Sequence, residues 1–536
     1  MSRPPEPARH RPSALRRAGA LAAVAALACT TLLAWGPPAG AGPSGTGLKG
    51  ALDEILTDPR LDGGSVSVVV ADAATGERLY RRDAGDRLMP ASTTKIATSL
   101  AAMALLGPGH RWTTRVLASG HRHGSTLHGD LYLRGDGDPT MLAADYERLA
   151  ADVAAAGIRR VTGRILADDT AFDGVRLGRS WAAEDESAYY SAPVSALTLA
   201  PDTDYDAGTV LVEARPGARP GDPPRVSLTP PTGHVPLEVT GRTVDEGGAD
   251  TLTVDRPHGG ATITVTGTIP LGAPATKEWI AVRDPSGYAA SVFAESLASH
   301  GVRVRGTTRT GRPTPPGARV LASHRSMPLS QVMHPFMKLS NNMHAEALVK
   351  TIGRVRAGEG SWAAGLSEVR AHLAERGVRT ATVRQADGSG LSRMNLFPAE
   401  ELTTLLLAVR DAPWYEQWSA SLPVACAPDR AVGGTLRSRM CSTPAALNAR
   451  AKTGSLTGAS ALSGTVTDAG GRELVFGILL NDYLAPSVKS VEDAIVVLLA
   501  SSDTAAGRIG AVRPPAAREG GAEDGLECSW RKPASC

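Results

Sequence analysis

The sequence predicts an α+β fold: an antiparallel sheet with helices, split by a large β-rich insertion. Three observations carry that expectation. Strand-like runs stand near both ends of the chain, at residues 65–72 and again at 459–466 and 473–480. Helical periodicity fills the stretches between and beside them, at 91–106, 329–353, 362–376, 399–410 and 488–500. Between about residues 113 and 320 the character changes to short β-like pieces divided by Gly- and Pro-rich turns. Strands that flank a helical block at both ends of a chain are most simply accommodated in one sheet, with the intervening chain forming modules of its own.

Each element has a local reason. SVSVVVAD at 65–72 is rich in β-branched residues, and Ala74-Thr75-Gly76 supplies a turn before a second strand at Glu77–Arg81, so the pair reads as a hairpin. Pro90 is a helix-start signal for the apolar run Ala91–Leu106. In the insertion, the β-like pieces are 113–118, 126–133, 226–228, 237–239, 251–254 and 261–266, interrupted by a helical pattern over Met141–Ala156. The late strands are joined by Asp468-Ala469-Gly470-Gly471, and Val488–Ala500 closes as an apolar helix. Residues 42–112 and 321–502 therefore form the two parts of one domain, 113–320 the insertion, and the Gly/Pro/Ala-rich residues 503–536 a flexible tail.

Charge and cysteine usage bound the compartment and the partners. Residues 1–41 hold Arg3, Arg9, Arg11, Arg16 and Arg17 against Glu6 alone, more positive charge than the +3 of the whole chain, so the remainder is close to neutral. That gives no electrostatic case for nucleic-acid binding. The basic segment precedes an apolar run from Ala18 to Trp35 and the small residues Ala39-Gly40-Ala41, the pattern of an export signal cleaved after Ala41. An uncleaved signal would instead retain the chain at a membrane. Of five cysteines, Cys29 lies in the signal. The other four suit an oxidising compartment, with Cys426–Cys441 and Cys528–Cys536 as the favoured local pairings.

Three short stretches carry chemistry. Ser92-Thr93-Thr94-Lys95 stands at a helix start, where residues i and i+3 share a face. A serine hydroxyl becomes a nucleophile when a base takes its proton, and a lysine amine can be that base. Only eight of the 57 basic residues are lysine, and arginine cannot deprotonate, so a lysine here suits a need for an amine. The pattern alone is weak, because Ser529-Trp530-Arg531-Lys532 matches it too. The second stretch, Ser340-Asn341-Asn342, offers a hydroxyl to relay a proton and an amide to bind a carbonyl, although an Asn pair also suits a plain helix break. The third, Lys452-Thr453-Gly454 with Ser455, opens the first late strand. It brings a fixed charge, a hydroxyl for a carboxylate, and a glycine that lets a ligand approach the backbone.

Together and in this order the stretches match S-x-x-K, S-x-N and K-T-G, the motif set of class A β-lactamases and penicillin-binding proteins. Over most of residues 48–500 the chain resembles the low-molecular-mass penicillin-binding proteins of the D-alanyl-D-alanine carboxypeptidase/endopeptidase type, peptidase family S13. The long interval from Ser92 to Ser340 suits that family, whose members carry inserted domains there. Further segments are similar: Gly135–Pro139, Ala167-Asp168-Asp169 with Phe172, Tyr190–Pro193, Asp387–Arg393 and Gly434-Thr435-Leu436. Asn341 stands where related enzymes often carry Asp.

The resemblance implies a serine β-lactamase/DD-peptidase-like transpeptidase fold and a cleaved D-Ala-D-Ala bond in peptidoglycan stem peptides. It also implies roles: Ser92 as nucleophile, Lys95 as its base, and Ser340 with Lys452 returning a proton to the leaving D-alanine. Asn342 would hold the peptide, Lys452 and Thr453 would meet its carboxylate, and the backbone N–H groups of Ser92 and Ser455 would form the oxyanion hole. β-Lactams would acylate Ser92. No metal or cofactor is implied, and oligomeric state is not legible. The same motifs serve a DD-endopeptidase acting on cross-links. A zinc peptidase built on His121, His123, Asp136 and Asp138, or a non-catalytic wall-binding protein on the same fold, are the competing classes.

Overall fold

The computed structural model describes residues 47–510 and 512. Its central sheet has five antiparallel strands in the order Arg450–Leu456, Ala459–Thr467, Glu473–Asn481, Ser65–Asp72 and Arg78–Arg82. Both ends of the chain thus build one sheet, with Ser65 opposite Asn481 and Asp72 opposite Leu474. Val66, Val68 and Val70 face one layer, where the helices Leu48–Ile55 and Lys489–Ser501 pack. Val69 faces the other, against Ile96 and Leu100 of the helix Thr94–Leu105. A central strand buried on both faces needs apolar side chains on both, which is why this segment reads as a nearly continuous apolar run. The helix that follows Ser92 is itself surrounded: every residue from Thr94 to Met103 is buried.

Two points about these elements are settled by the structure. The helical periodicity over 329–353 belongs to two helices, Leu329–Lys338 and Asn342–Ala357, with Ser340 at the break that the Asn pair allowed. Ser340 adopts φ +57 between them, and the Asn341 side chain accepts the His344 N–H as the cap of the second helix. The apolar periodicity runs through the break, because both helices bury a face in the same core. The segment with Lys452 is a strand of its own, joined to Ala459–Thr467 through Thr457-Gly458.

The insertion has its own core. Its six-stranded sheet runs Arg303–Val304, Arg160–Val161, Thr126–Arg134, Thr113–His123, Arg319–Arg325, with Ile165–Asp168 also paired to Thr126–Arg134. The last of these strands carries the hydrogen-bonded sheet past residue 320. The helices Ala143–Ala155 and Pro285–Ser299 share this core. The second was not anticipated, although Asp284 caps it and Pro285 opens it. Eight further short strands form three small sheets between residues 209 and 281.

The start of the expected tail is anchored: Asp468 accepts the N–H and hydroxyl of Thr504, and Asp503 bridges to Arg508. Cys426 and Cys441 are joined as expected. The signal segment, Cys29 and the Cys528–Cys536 pair lie outside the described residues. Among the described residues no helix is long and apolar enough to cross a membrane.

Candidate active site

Ser92 sits on a short 3-10 turn, Ala91–Thr93, that runs directly into the buried helix. One helical turn on, the Lys95 amine donates to Ser92 Oγ at 2.9 Å, to Asn342 Oδ1 at 2.6 Å and to the Ser389 carbonyl at 2.8 Å. The lysine is fully buried. Its three polar contacts compensate the desolvation that an amine would otherwise suffer there.

The break between helices at Ser340 brings the second stretch to the same place. Lys452 Nζ donates to Ser340 Oγ at 2.8 Å and to the Thr453 carbonyl at 2.8 Å. Asn342 turns its amide oxygen to Lys95, and its amide nitrogen donates to the Tyr190 carbonyl at 2.9 Å. One of its two N–H groups remains for a ligand, while the amide oxygen orients Lys95 and the other N–H ties the side chain to Tyr190. Asn341 turns away, donating to Asp206 and to the carbonyls of Asp204 and Tyr205.

The strand with Lys452 lies at the sheet's outer edge. The Ala451 N–H donates to Pro423 O and the Thr453 carbonyl receives Lys452, so alternate residues from 451 point their backbone groups outward. Ser455 continues that series, which turns its N–H toward the free edge, while its hydroxyl is buried without a hydrogen-bond partner among the described residues. Thr453 donates its hydroxyl to Thr435, in the loop closed by the Cys426–Cys441 disulfide. Gly454 differs from its expected role. A β-carbon there would stand 2.6 Å from Pro90 O and 3.0 Å from Ser92 N. The missing side chain admits the turn that carries Ser92.

Behind the site a buried carboxylate holds the loop that faces Lys95. Glu346, one turn beyond Asn342, accepts the N–H groups of Gly388 and Ser389 and the Trp362 indole N–H. Burial, with Asp387 close by, pushes its pKa up to about 7. Asp387 in turn accepts from the N–H groups of Gly390 and Ser392, from Asn395 and from the Trp181 indole. Gly390, at φ +90, lies so close to Ala91 O that a β-carbon would be 1.8 Å away. The 387–390 loop therefore clamps both the lysine and the nucleophile's turn.

Of these supporting groups, Tyr190–Pro193 and Asp387–Arg393 were marked by family resemblance without a role, and Glu346 was not marked at all. Glu346 had one usable signal, an acid one turn from Asn342 in a helix where every residue from 342 to 353 is buried. The carbonyls of Tyr190 and Ser389 leave no trace in side-chain chemistry. Tyr190 shows that the insertion reaches the site.

The zinc alternative is not assembled. His121 stacks on His128 across the hairpin, Asp136 pairs with Arg115, and Asp138 accepts from Thr140. Among the described residues no three His, Cys, Asp or Glu side chains are gathered as a metal site.

Comparison with known proteins places the chain in a family. The family model D-Ala-D-Ala carboxypeptidase 3 (S13) matches residues 48–502. The D-alanyl-D-alanine carboxypeptidase of Actinomadura sp. (strain R39) is 44% identical, covering 98% of each chain. The carboxypeptidase DacB of Mycolicibacterium smegmatis is 30% identical over 86% of this chain and 85% of its own length. The crystal structure of penicillin binding protein 4 (dacB) from Haemophilus influenzae superposes with a TM-score of 0.70 at 24% identity, covering 81% of this chain and 93% of that one. The β-lactamase/DD-peptidase-like fold expected from the motifs is the fold of this chain. With its site assembled from all three motifs and a family match from residue 48 to 502, the chain belongs to the D-Ala-D-Ala carboxypeptidase 3 (S13) family.

Proposed function

We propose that this serine-type D-Ala-D-Ala carboxypeptidase hydrolyses peptidoglycan stem peptides through an acyl-enzyme on Ser92. One observation carries the reading: the Lys95 amine lies 2.9 Å from Ser92 Oγ, while the Lys452 amine holds Ser340 at 2.8 Å. Neutral Lys95 keeps its two N–H bonds to Asn342 and Ser389 and turns its lone pair to the Ser92 hydroxyl. It takes that proton as Oγ attacks the penultimate D-Ala carbonyl. The developing oxyanion is met by the N–H groups of Ser92 and Ser455. The C–N bond then breaks as Ser340, held by Lys452, gives its proton to the departing D-alanine nitrogen and takes in exchange the proton that Lys95 had accepted, which returns Lys95 to the neutral amine. Lys452 and Thr453 bind the terminal carboxylate, which suits a fixed ammonium beside a hydroxyl. Water attacks the ester, restoring the Ser92 hydroxyl and releasing the shortened peptide.

A β-lactam offers the same carbonyl and carboxylate, so it acylates Ser92 while its ring nitrogen stays attached to the acyl group. The substrate is a wall polymer, which places the enzyme outside the cytoplasm. Intact-mass spectrometry after benzylpenicillin tests the reading. The wild type is expected to carry one covalent adduct that Ser92→Ala lacks. No adduct on the wild type would favour a non-enzymatic wall-binding protein. Parallel assays on a pentapeptide and on a cross-linked dimer separate stem trimming from endopeptidase action.

A further inference from the structure

The insertion carries a basic groove that the reaction does not use. From residue 296 to 345 the chain has no acidic residue but six arginines, and residues 153–167 have none but three. The fold joins these two stretches. Arg303–Val304 is the outer strand of the six-stranded sheet and pairs in parallel with Arg160–Val161, Arg303 opposite Arg160. Beside this edge lies a groove of about 1010 Å³ whose lining includes Arg159, Arg160, Arg303 and Arg305 and no carboxylate.

The arginines are available to a ligand. All four are exposed. Arg159 donates to the Ala154 carbonyl, and among the described residues Arg160, Arg303 and Arg305 have no ion-pair partner. Carboxylates on adjoining segments are already engaged: Asp130 accepts the Arg164 N–H, and Glu295 accepts from Gly233 and Ser291. Like charges directly opposite in a sheet are unfavourable, and among the described residues no acid pairs with Arg160 or Arg303 to relieve them. A single charge would be enough to protect an edge strand from mispairing, so protection does not account for the cluster.

We propose that this groove docks a poly(polyol phosphate), a polyanionic phosphodiester polymer without bases, independently of the catalytic reading; no aromatic side chain lines it on which a base could stack. Guanidinium groups pair with phosphate through two parallel N–H bonds. Arg303 and Arg305 share one side of their strand and repeat about every 6.6 Å, while Arg160 lies about 4.8 Å across the sheet. Exposed charges spread along a groove hold a small anion weakly, whereas a chain with one charge per repeat makes several contacts at once. A membrane surface fits less well: the groove is concave, and among the described residues none of the exposed large apolar side chains lines it.

The test measures binding of the full chain to fluorescein-labelled poly(glycerol phosphate) by anisotropy across a salt series. Parallel titrations use phosphatidylglycerol vesicles, a single-stranded oligonucleotide of equal charge and inorganic phosphate. The wild type is expected to prefer the poly(glycerol phosphate). Triple substitution of Arg160, Arg303 and Arg305 by Glu should weaken it by at least about tenfold and flatten the log–log salt slope by about 2. Benzylpenicillin acylation should stay unchanged, which shows the variant folded. The triple Gln variant should give the same direction if the Glu variant does not fold. Absence of polymer binding by the wild type, or retention of binding in a folded triple variant, overturns the proposal. Equal or tighter binding to vesicles or to the oligonucleotide also overturns it.

Discussion

Replacing Gly454 by alanine tests how the strand and the nucleophile's turn fit together. The new β-carbon would lie 2.6 Å from Pro90 O, 3.0 Å from Ser92 N and 3.1 Å from Thr93 N. Ordinary contact begins at 3.4 Å, so strand and turn must part by about 0.8 Å. All three neighbours are backbone atoms, and no flexible side-chain end can yield. The parting separates the N–H groups of Ser92 and Ser455, the two proposed oxyanion donors. Misplacement on the order of 1 Å costs roughly 10²-fold in rate, the lower end of what losing one such donor costs. Overpacking should cost about 1–3 kcal/mol of stability, enough to lower the melting temperature without preventing folding. The assay is the time course of benzylpenicillin acylation by intact mass, with Gly85→Ala as control because a β-carbon at Gly85 meets nothing within 4 Å. Acylation slowed about 10²-fold in G454A and unchanged in G85A is the expected result. If G454A acylates within about threefold of wild type, the close packing has no part in rate. If only the half-saturating penicillin concentration rises, the glycine serves ligand access, as the sequence alone suggested.

Lys95→Ala should slow acylation by roughly 10²–10⁴-fold and lower stability, because Asn342 Oδ1 and the Ser389 carbonyl lose a buried donor; unchanged acylation kinetics would remove Lys95 as the base. Glu346 titrates at about 7 in the fold, above its ordinary 4.5, so its stabilising contribution is full below about pH 4.5 and is lost as pH rises toward 7. The melting-temperature gap between wild type and Glu346→Gln should therefore be wider at pH 5 than at pH 7.5, and a gap that widens with pH would contradict this. Replacing Cys426 and Cys441 together by serine should cost about 3 kcal/mol, the loop-closure value for a separation of 15 residues, seen as a lower urea midpoint. It should also raise KM through the loosened Thr435 loop more than it lowers kcat.

The side chains proposed to react stood out because that chemistry demands particular residue types: a hydroxyl at 92, amines at 95 and 452, a hydroxyl at 340. Tyr190–Pro193 and Asp387–Arg393 stood out only by family resemblance, since Tyr190 and Ser389 act through carbonyls that every residue possesses. The sheet at the chain ends was legible for the same reason as its central strands, which must be apolar on both faces. The break at Ser340 showed only in its Asn pair, because the helices on either side keep their apolar faces in phase with one core. Gly454 was read as room for a ligand because a sequence shows an absent side chain but not what fills the space. The helix Pro285–Ser299 went unread despite its Asp-Pro start, being embedded in a region whose turns and β-branched residues dominate any local window.

That the sheet closes only when strands from residues 450–481 meet the hairpin at 65–82 has a temporal consequence. A polypeptide made from its amino end presents Ser92 long before Lys452 exists beside it. The contacts that gather these groups are long-range, so the site is complete only once the last strands have paired with the hairpin at 65–82.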